Sequence, residues 1–236
     1  VDELEIVYQD EYLAVINKPS GLLVHRSRIA SGAREFAMQM LRNQMGRHVY
    51  PVHRLDRPTS GLLIFALNSD VARSLTEQMT ARQVRKTYHA VVRGYVSDSG
   101  TIDYSLKEEL DKLADADADT DKEKQSAITH YECLKQVELP YKVSKKHDTT
   151  RYSLVQMQPE TGRKHQLRRH MAHIRHPIVG DTNHGDGRHN NFFRSHFDIH
   201  RLLLAATALS FHHPVSGEPM NLELPLPDEF HRPFIE

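Results

Sequence analysis

The stretch that decides the fold is Pro51-Val52-His53-Arg54-Leu55-Asp56-Arg57-Pro58-Thr59-Ser60-Gly61-Leu62-Leu63-Ile64-Phe65-Ala66-Leu67. Its second half, from Gly61 to Leu67, is continuously apolar and short, as expected of a strand buried on both faces. Its first half is a loop that puts one carboxylate between two guanidinium groups, ahead of Pro58 and a Thr59-Ser60-Gly61 turn. Flanking cations favour the ionised form of Asp56 even where burial opposes it. Loops carried on rigid strands are common places for reactive groups. The same residues also suit a turn whose aspartate pairs with arginine or caps backbone amides, and local chemistry leaves both readings open.

Working outward, Ile6-Val7-Tyr8 and Tyr12 to Ile16 read as a strand pair around a Gln9-Asp10-Glu11 turn, followed by a Lys18-Pro19-Ser20-Gly21 turn. Residues 32–45 have helical spacing through Phe36, Met40 and Leu41, and Val49 to Arg57 reads as a strand end and loop. Asn68 or Ser69 can cap a helix over 70–80. Further strands are expected over Tyr88 to Tyr95, broken at Gly94, and over Ala127 to Leu134, Arg151 to Met157, Leu202 to Phe211 and Met220 to Leu224. Residues 163–175 read as a basic helix that must stop before Pro177, and residues 187–198 as polar and irregular. Strands outnumber helices without regular alternation. The expectation is therefore an α+β fold with a mixed, largely antiparallel sheet flanked by helices and loops, as one domain over residues 1–236. The acidic, low-complexity stretch 107–127 reads as an exposed excursion from it.

The chain has 236 residues, 39% of them hydrophobic and 26% charged, as in a soluble globular protein. No apolar run reaches the roughly 18 residues of a membrane span, and the N-terminus carries no signal-like segment. A single cysteine, Cys133, excludes an intrachain disulfide and suits a reducing, cytoplasmic setting. The net charge is zero, but residues 98–124 hold ten acidic and four basic side chains, which leaves +6 on the remainder. That positive charge is clustered. Arg163, Lys164, Arg168, Arg169 and Arg175 lie within residues 163–175 without an acid, and seven arginines lie within residues 26–57. Such clusters suit RNA phosphates, although solvated faces would look the same.

Two further segments could carry chemistry. Thr161-Gly162 makes a turn from which Arg163 is expected to start a helix, its free amides favouring anions, while Leu167, Met171 and Ile174 form a core-facing stripe. Lys86-Thr87-Tyr88 leads a tyrosine into a strand, where it can stack on a base or simply join a core. The 17 histidines raise a metal reading, but His170, His173 and His176 drift around a helix and no metal-ligand motif or nucleotide-binding glycine loop occurs. No cofactor and no metal are expected.

Together these segments resemble the RluA-type pseudouridine synthases. His53-Arg54-Leu55-Asp56-x-x-Thr59-Ser60-Gly61 is similar to that family's catalytic motif position by position. Asn17-Lys18-Pro19-Ser20-Gly21, Lys86-x-Tyr88, Thr161-Gly162-Arg163-x-His165-Gln166-Leu167-Arg168-x-His170 and Pro177-Ile178-x-Gly180-Asp181 follow in the family's order. The resemblance implies Asp56 as the essential carboxylate, Arg163 as its ion-pair partner and Tyr88 as a stacking residue and candidate base. It implies Arg54 as the residue filling the space of a flipped base, with Lys86, Lys164, Arg168, Arg169 and Arg175 meeting RNA. His53, Leu55, Thr59, Ser60, Gly61 and Leu204 support the site. One departure is visible: after Arg201-Leu202-x-Leu204 the family has His-Ala where this chain has Ala205-Ala206. The small N-terminal RNA-binding domain of some relatives is not expected. The tract Thr161 to Gly187 resembles members that modify the T stem of tRNA, so structured RNA, and tRNA above all, is the expected partner. No membrane and no obligate protein partner are expected. The alternatives are a ribosomal RNA enzyme of the same family, an idle RNA-binding module and a histidine-rich metallohydrolase.

Overall fold

A computed structural model describes residues 3–25, 36–109 and 122–235. In chain order the elements are β1 (Glu5–Gln9), β2 (Leu13–Lys18), α1 (Ala37–Met45), β3 (Tyr50–Pro51), β4 (Ser60–Ala66), α2 (Ser69–Thr80), β5 (Arg85–Arg93) and β6 (Ser99–Asp103). They continue with β7 (Ile128–Leu139), β8 (Thr150–Pro159), α3 (Gln166–His173), α4 (Gly187–Phe197), β9 (Leu204–His212), β10 (Pro219–Glu223) and α5 (Asp228–His231), which runs into a 3₁₀ turn over Arg232–Phe234. This is the α+β class the sequence implies. The start of the helix expected over 32–45 and the Leu113 to Asp121 part of the acidic excursion lie outside the described residues.

The chain gathers into two compact units, one of Val1–Lys86, Lys107–Glu123 and Ala208–Leu224, the other of Thr87–Leu106, Lys124–Thr207 and Pro225–Glu236. In the first, β2 pairs antiparallel with both β1 and β4, with Lys18 opposite Gly61, and β10 pairs antiparallel with β9. Every residue of β4 is buried, as its unbroken apolarity requires. One face packs Leu62, Ile64 and Ala66 against Leu13 and Val15 of β2 and against Val71 and Leu75 of α2. Asn68 caps α2 by accepting the Val71 N–H at 2.8 Å.

In the second unit β8 pairs antiparallel with β5 and β7, and β7 with β6. Its sheet has a core on each face. Ala90, Val92, Val155 and Met157 meet Leu167 and Met171 of α3, while Val91, Tyr152 and Leu154 meet Phe193 and Phe197 of α4 and Phe230 of α5.

Two segments that the sequence reading covers take a different course in the structure. Residues 187–198 are not irregular; they form α4, capped by Asp186, whose side chain accepts the Arg188 N–H at 3.0 Å. Its buried face is His189, Asn190, Phe193 and Phe197, so half of the buried stripe is polar and invisible to hydropathy. The basic helix begins at Gln166 and not at Arg163, because His165 sits in the left-handed region at φ 53° and interrupts the helical backbone.

Candidate active site

The Asp56 loop belongs to the first unit and is clamped by the turn after β2. Lys18 is fully buried, and its ammonium donates to the carbonyls of Pro19 (2.9 Å), Leu22 (2.7 Å) and Arg57 (3.0 Å). The Gly21 N–H donates to the same Arg57 carbonyl at 2.8 Å, and Arg57 returns a bond from Nε to the Gly21 carbonyl at 2.9 Å. Ser20 Oγ donates to the Pro58 carbonyl at 2.6 Å. Within the loop the Thr59 N–H closes a turn onto the Asp56 carbonyl at 3.0 Å. The two central residues of that turn, Arg57 and Pro58, are thus fastened through their own carbonyls. Gly21 adopts φ 91°, a left-handed conformation that glycine reaches without strain and that aims its N–H at Arg57.

The residues flanking Asp56 divide by exposure. Leu55, Thr59 and Ser60 are buried, Gly61 opens β4, and Arg54 and Arg57 are exposed. His53 Nε2 accepts the Ile64 N–H at 3.0 Å, which ties the loop back to β4. Burial, reinforced by the Lys86 charge, pushes His53 down to about 3. The ring is therefore neutral at physiological pH and carries its proton on Nδ1. Nδ1 and Thr59 Oγ1 are buried polar atoms without a hydrogen-bond partner among the described residues. Burial likewise lowers the Lys86 ammonium below its ordinary value. It is half-buried, less open to a phosphate than a surface lysine.

Tyr88, Arg163, Lys164, Arg168, Arg169, Arg175 and Leu204 belong to the second unit. Tyr88 lies on β5 opposite Met157, half-buried against the α3-facing core, and Leu204 is buried in that core. Ala205, at the family's histidine position, is also buried, on the opposite core. Arg163 stands in the turn before α3, where Gln166 organises it. Gln166 Oε1 accepts from the Arg163 N–H (3.1 Å) and from Thr161 Oγ1 (2.6 Å), and its Nε2 donates to the Ile128 carbonyl (3.1 Å) and Thr129 Oγ1 (3.0 Å). The Arg163 side chain donates from Nε to the Ser126 carbonyl at 3.0 Å.

The cations expected to meet RNA separate here. Arg168 is 2% exposed and forms a bidentate pair with Asp181, Nε to Oδ2 at 2.9 Å and Nη2 to Oδ1 at 2.8 Å. It stands in the structure as one half of an internal ion pair, where a buried guanidinium needs a fixed anion. Burial alone would raise Asp181, but the hydrogen bond and charge of Arg168, with the His184 and Asn183 amides, hold it below its ordinary value. Arg169 is half-buried and folds back onto the Lys164 carbonyl, while Arg175, left-handed at φ 66°, is exposed at the end of α3. The sequence analysis assigned no role to Lys18, Gln166 or Asp181. All three stand inside the quoted motifs, yet only burial reveals what they do.

Residues 12–173 match the family described as RNA pseudouridylate synthase. The chain belongs to that family. It is 55% identical to tRNA pseudouridine synthase C of Vibrio parahaemolyticus over 98% of this chain and 94% of that one. It is 58% identical to tRNA pseudouridine synthase C of Vibrio cholerae over 92% and 88%. Human RNA Pseudouridylate Synthase Domain Containing 1 superposes with a TM-score of 0.71 at 26% identity, covering 94% of this chain and 83% of its own. The synthase is accordingly an isomerase with RNA as its substrate. Among its described residues no helix is long and apolar enough to cross a membrane.

Proposed function

We propose that this synthase converts a uridine of tRNA to pseudouridine, at position 65 of the T stem, with Asp56 as the reacting carboxylate. The observation that carries the tRNA assignment is the extent of the likeness: relatives named for tRNA share over half their residues across nearly the whole chain. The chemistry is an internal exchange. The bond from the anomeric carbon to N1 breaks, the uracil turns, the anomeric carbon bonds to C5, and the C5 proton leaves while N1 gains one. No redox equivalent or transferred group is involved.

An ionised carboxylate on a rigid loop serves either addition to the ring or attack at the sugar. The clamp of Lys18, Ser20 and Gly21 supports such a role, since catalytic groups work best when their geometry is fixed before substrate arrives. In this reading Tyr88 stacks on the flipped uracil, and Arg163 is the cation that the family resemblance implies for the reacting carboxylate. Arg54 fills the space the base leaves, at a cost of about a few kcal/mol for unstacking. Lys86, Lys164, Arg169 and Arg175 contribute positive charge toward phosphates. Cys133, a free thiol, suits action in a reducing cytoplasm.

The test is tritium release from C5-labelled uridine in bulk tRNA, with ribosomal RNA transcripts alongside. Release from tRNA that vanishes in Asp56→Asn is expected. Release confined to ribosomal RNA would remove the tRNA assignment, and equal release by Asp56→Asn would remove the catalytic one.

A further inference from the structure

The second unit carries an aromatic feature that the reaction does not use. Tyr104, just past the end of β6, is 38% exposed, and its ring lies 3.6 Å from the His173 ring at an interplanar angle of 12°. His173 is itself exposed at the end of α3, and the Lys124 ammonium lies over the Tyr104 ring, 5.7 Å from its centre. Tyr104 keeps over a third of its surface open to solvent, an unusual exposure for a large aromatic side chain.

The stack is also held from behind. The Tyr104 N–H donates to the Ala127 carbonyl at 3.2 Å, and its carbonyl accepts from His170 Nε2 at 2.9 Å. His170 is fully buried, and its Nδ1 lies 2.8 Å from Thr129 Oγ1. Burial lowers its pKa, which favours the neutral ring that accepts from Thr129 and donates to Tyr104. Thr129 Oγ1 in turn accepts from Gln166, the residue that organises the Arg163 turn. One buried chain of hydrogen bonds therefore runs from Arg163 through Gln166, Thr129 and His170 to the backbone of Tyr104. The backbone that carries the Tyr104 ring is thereby tied to the turn that bears Arg163.

We propose that the Tyr104–His173 stack, with Lys124 beside it, is a second RNA contact: a platform on which an unpaired nucleotide of the substrate stacks while its phosphate meets the lysine. The proposal rests on the RNA-modifying reading of this chain. The chemistry fits that occupant. Aromatic faces continue a base stack without regard to sequence, and a neighbouring cation draws the backbone. Arg169 and His173 are four residues apart on one face of α3, with Arg175 just beyond, whereas Asp103 and Glu123 adjoin Tyr104 and Lys124 in the chain, so the positive side of the platform is its α3 side. A fully paired stem offers no free base face, which makes an unpaired nucleotide the partner.

The experiment measures tRNA affinity and single-turnover rate for Tyr104→Ala and His173→Ala, alone and combined. Loss of a stacked base predicts a Kd raised roughly ten-fold or more, with the saturating rate unchanged and with His173→Phe close to the parent protein. Lys124→Gln should reduce the salt dependence of binding by about one ion. A paired RNA duplex should bind parent and Tyr104→Ala alike. Unchanged tRNA affinity in the double variant would overturn the platform, as would an equal loss on the duplex. Thermal unfolding of each variant separates these from misfolding. If the parent protein binds tRNA but forms no pseudouridine, a selective loss in Tyr104→Ala still supports the platform while the enzymatic reading falls.

Discussion

The loop bearing Asp56 and the turn bearing Arg163 are both immobilised, but by different means. The first is fastened through its own main chain: carbonyls of Arg57 and Pro58 take donors from Lys18, Ser20 and Gly21. The second is fastened through buried side chains, Gln166 at the turn and the Arg168–Asp181 pair below it. Main-chain fastening depends on few side chains, so most substitutions in the Asp56 loop leave its course unchanged. Side-chain fastening concentrates the risk, because a single loss strands partners that water cannot reach.

The largest effect should come from the group that reacts. Asp56→Asn is isosteric and leaves the clamp in place, so turnover should fall to the detection limit while tRNA Kd changes less than about three-fold. A parallel loss of binding would mean that the loop itself had moved. Next is Arg168→Met, which leaves the buried Asp181 carboxylate without its counter-charge, on the Asn183 and His184 amides alone. A loss of about 3–5 kcal/mol is expected by urea unfolding, with partial recovery when Asp181→Asn is added. A small loss with a reduced salt slope of RNA binding would restore Arg168 as a phosphate contact. Lys18→Met tests the other side of the comparison. It removes one donor from three carbonyls and should cost about 3 kcal/mol or less, against the sharper penalty at Arg168. Equal penalties would erase the distinction.

Gln166→Leu keeps the volume but frees the Arg163 N–H, Thr161 and Thr129. Stability should drop by about 1–3 kcal/mol, and turnover should fall more than substrate affinity. The effect least felt at neutral pH belongs to His53. Its ordinary value is 6.5 and its folded value is about 3, so the folded protein binds fewer protons than the unfolded chain in between. The stability it contributes is complete above pH 6.5 and declines as pH falls toward 3. His53→Gln keeps an acceptor for the Ile64 N–H and should flatten that acid limb in a pH series of urea midpoints. An unchanged limb would place the proton uptake on another group.

Legibility followed from what a residue touches. Strand β4 could be read because all its side chains are apolar, and α2 because Asn68 announces its start. Strand β6 could not be read: of its residues only Ile102 is buried. Helix α4 escaped because His189 and Asn190 sit inside, where His189 meets Tyr152 and Asn190 holds the Gly180 N–H and the Asp181 carbonyl. Polar residues that go inside with partners look the same in sequence as polar residues left outside.

By itself the sequence determined the α+β class, the buried strand behind Asp56, the order of the motifs and the family they mark. The class and the buried strand follow from composition and spacing along one chain, and the family from the resemblance of the quoted motifs. Only the tertiary structure decided that Arg168 is an internal strut, that Lys18 and Gln166 hold the two loops, and that Tyr104 and His173 meet in the open. Each of those depends on a partner distant in sequence, and the burial that makes a charge or an amide costly, and so assigns it a role, exists only once the chain has folded.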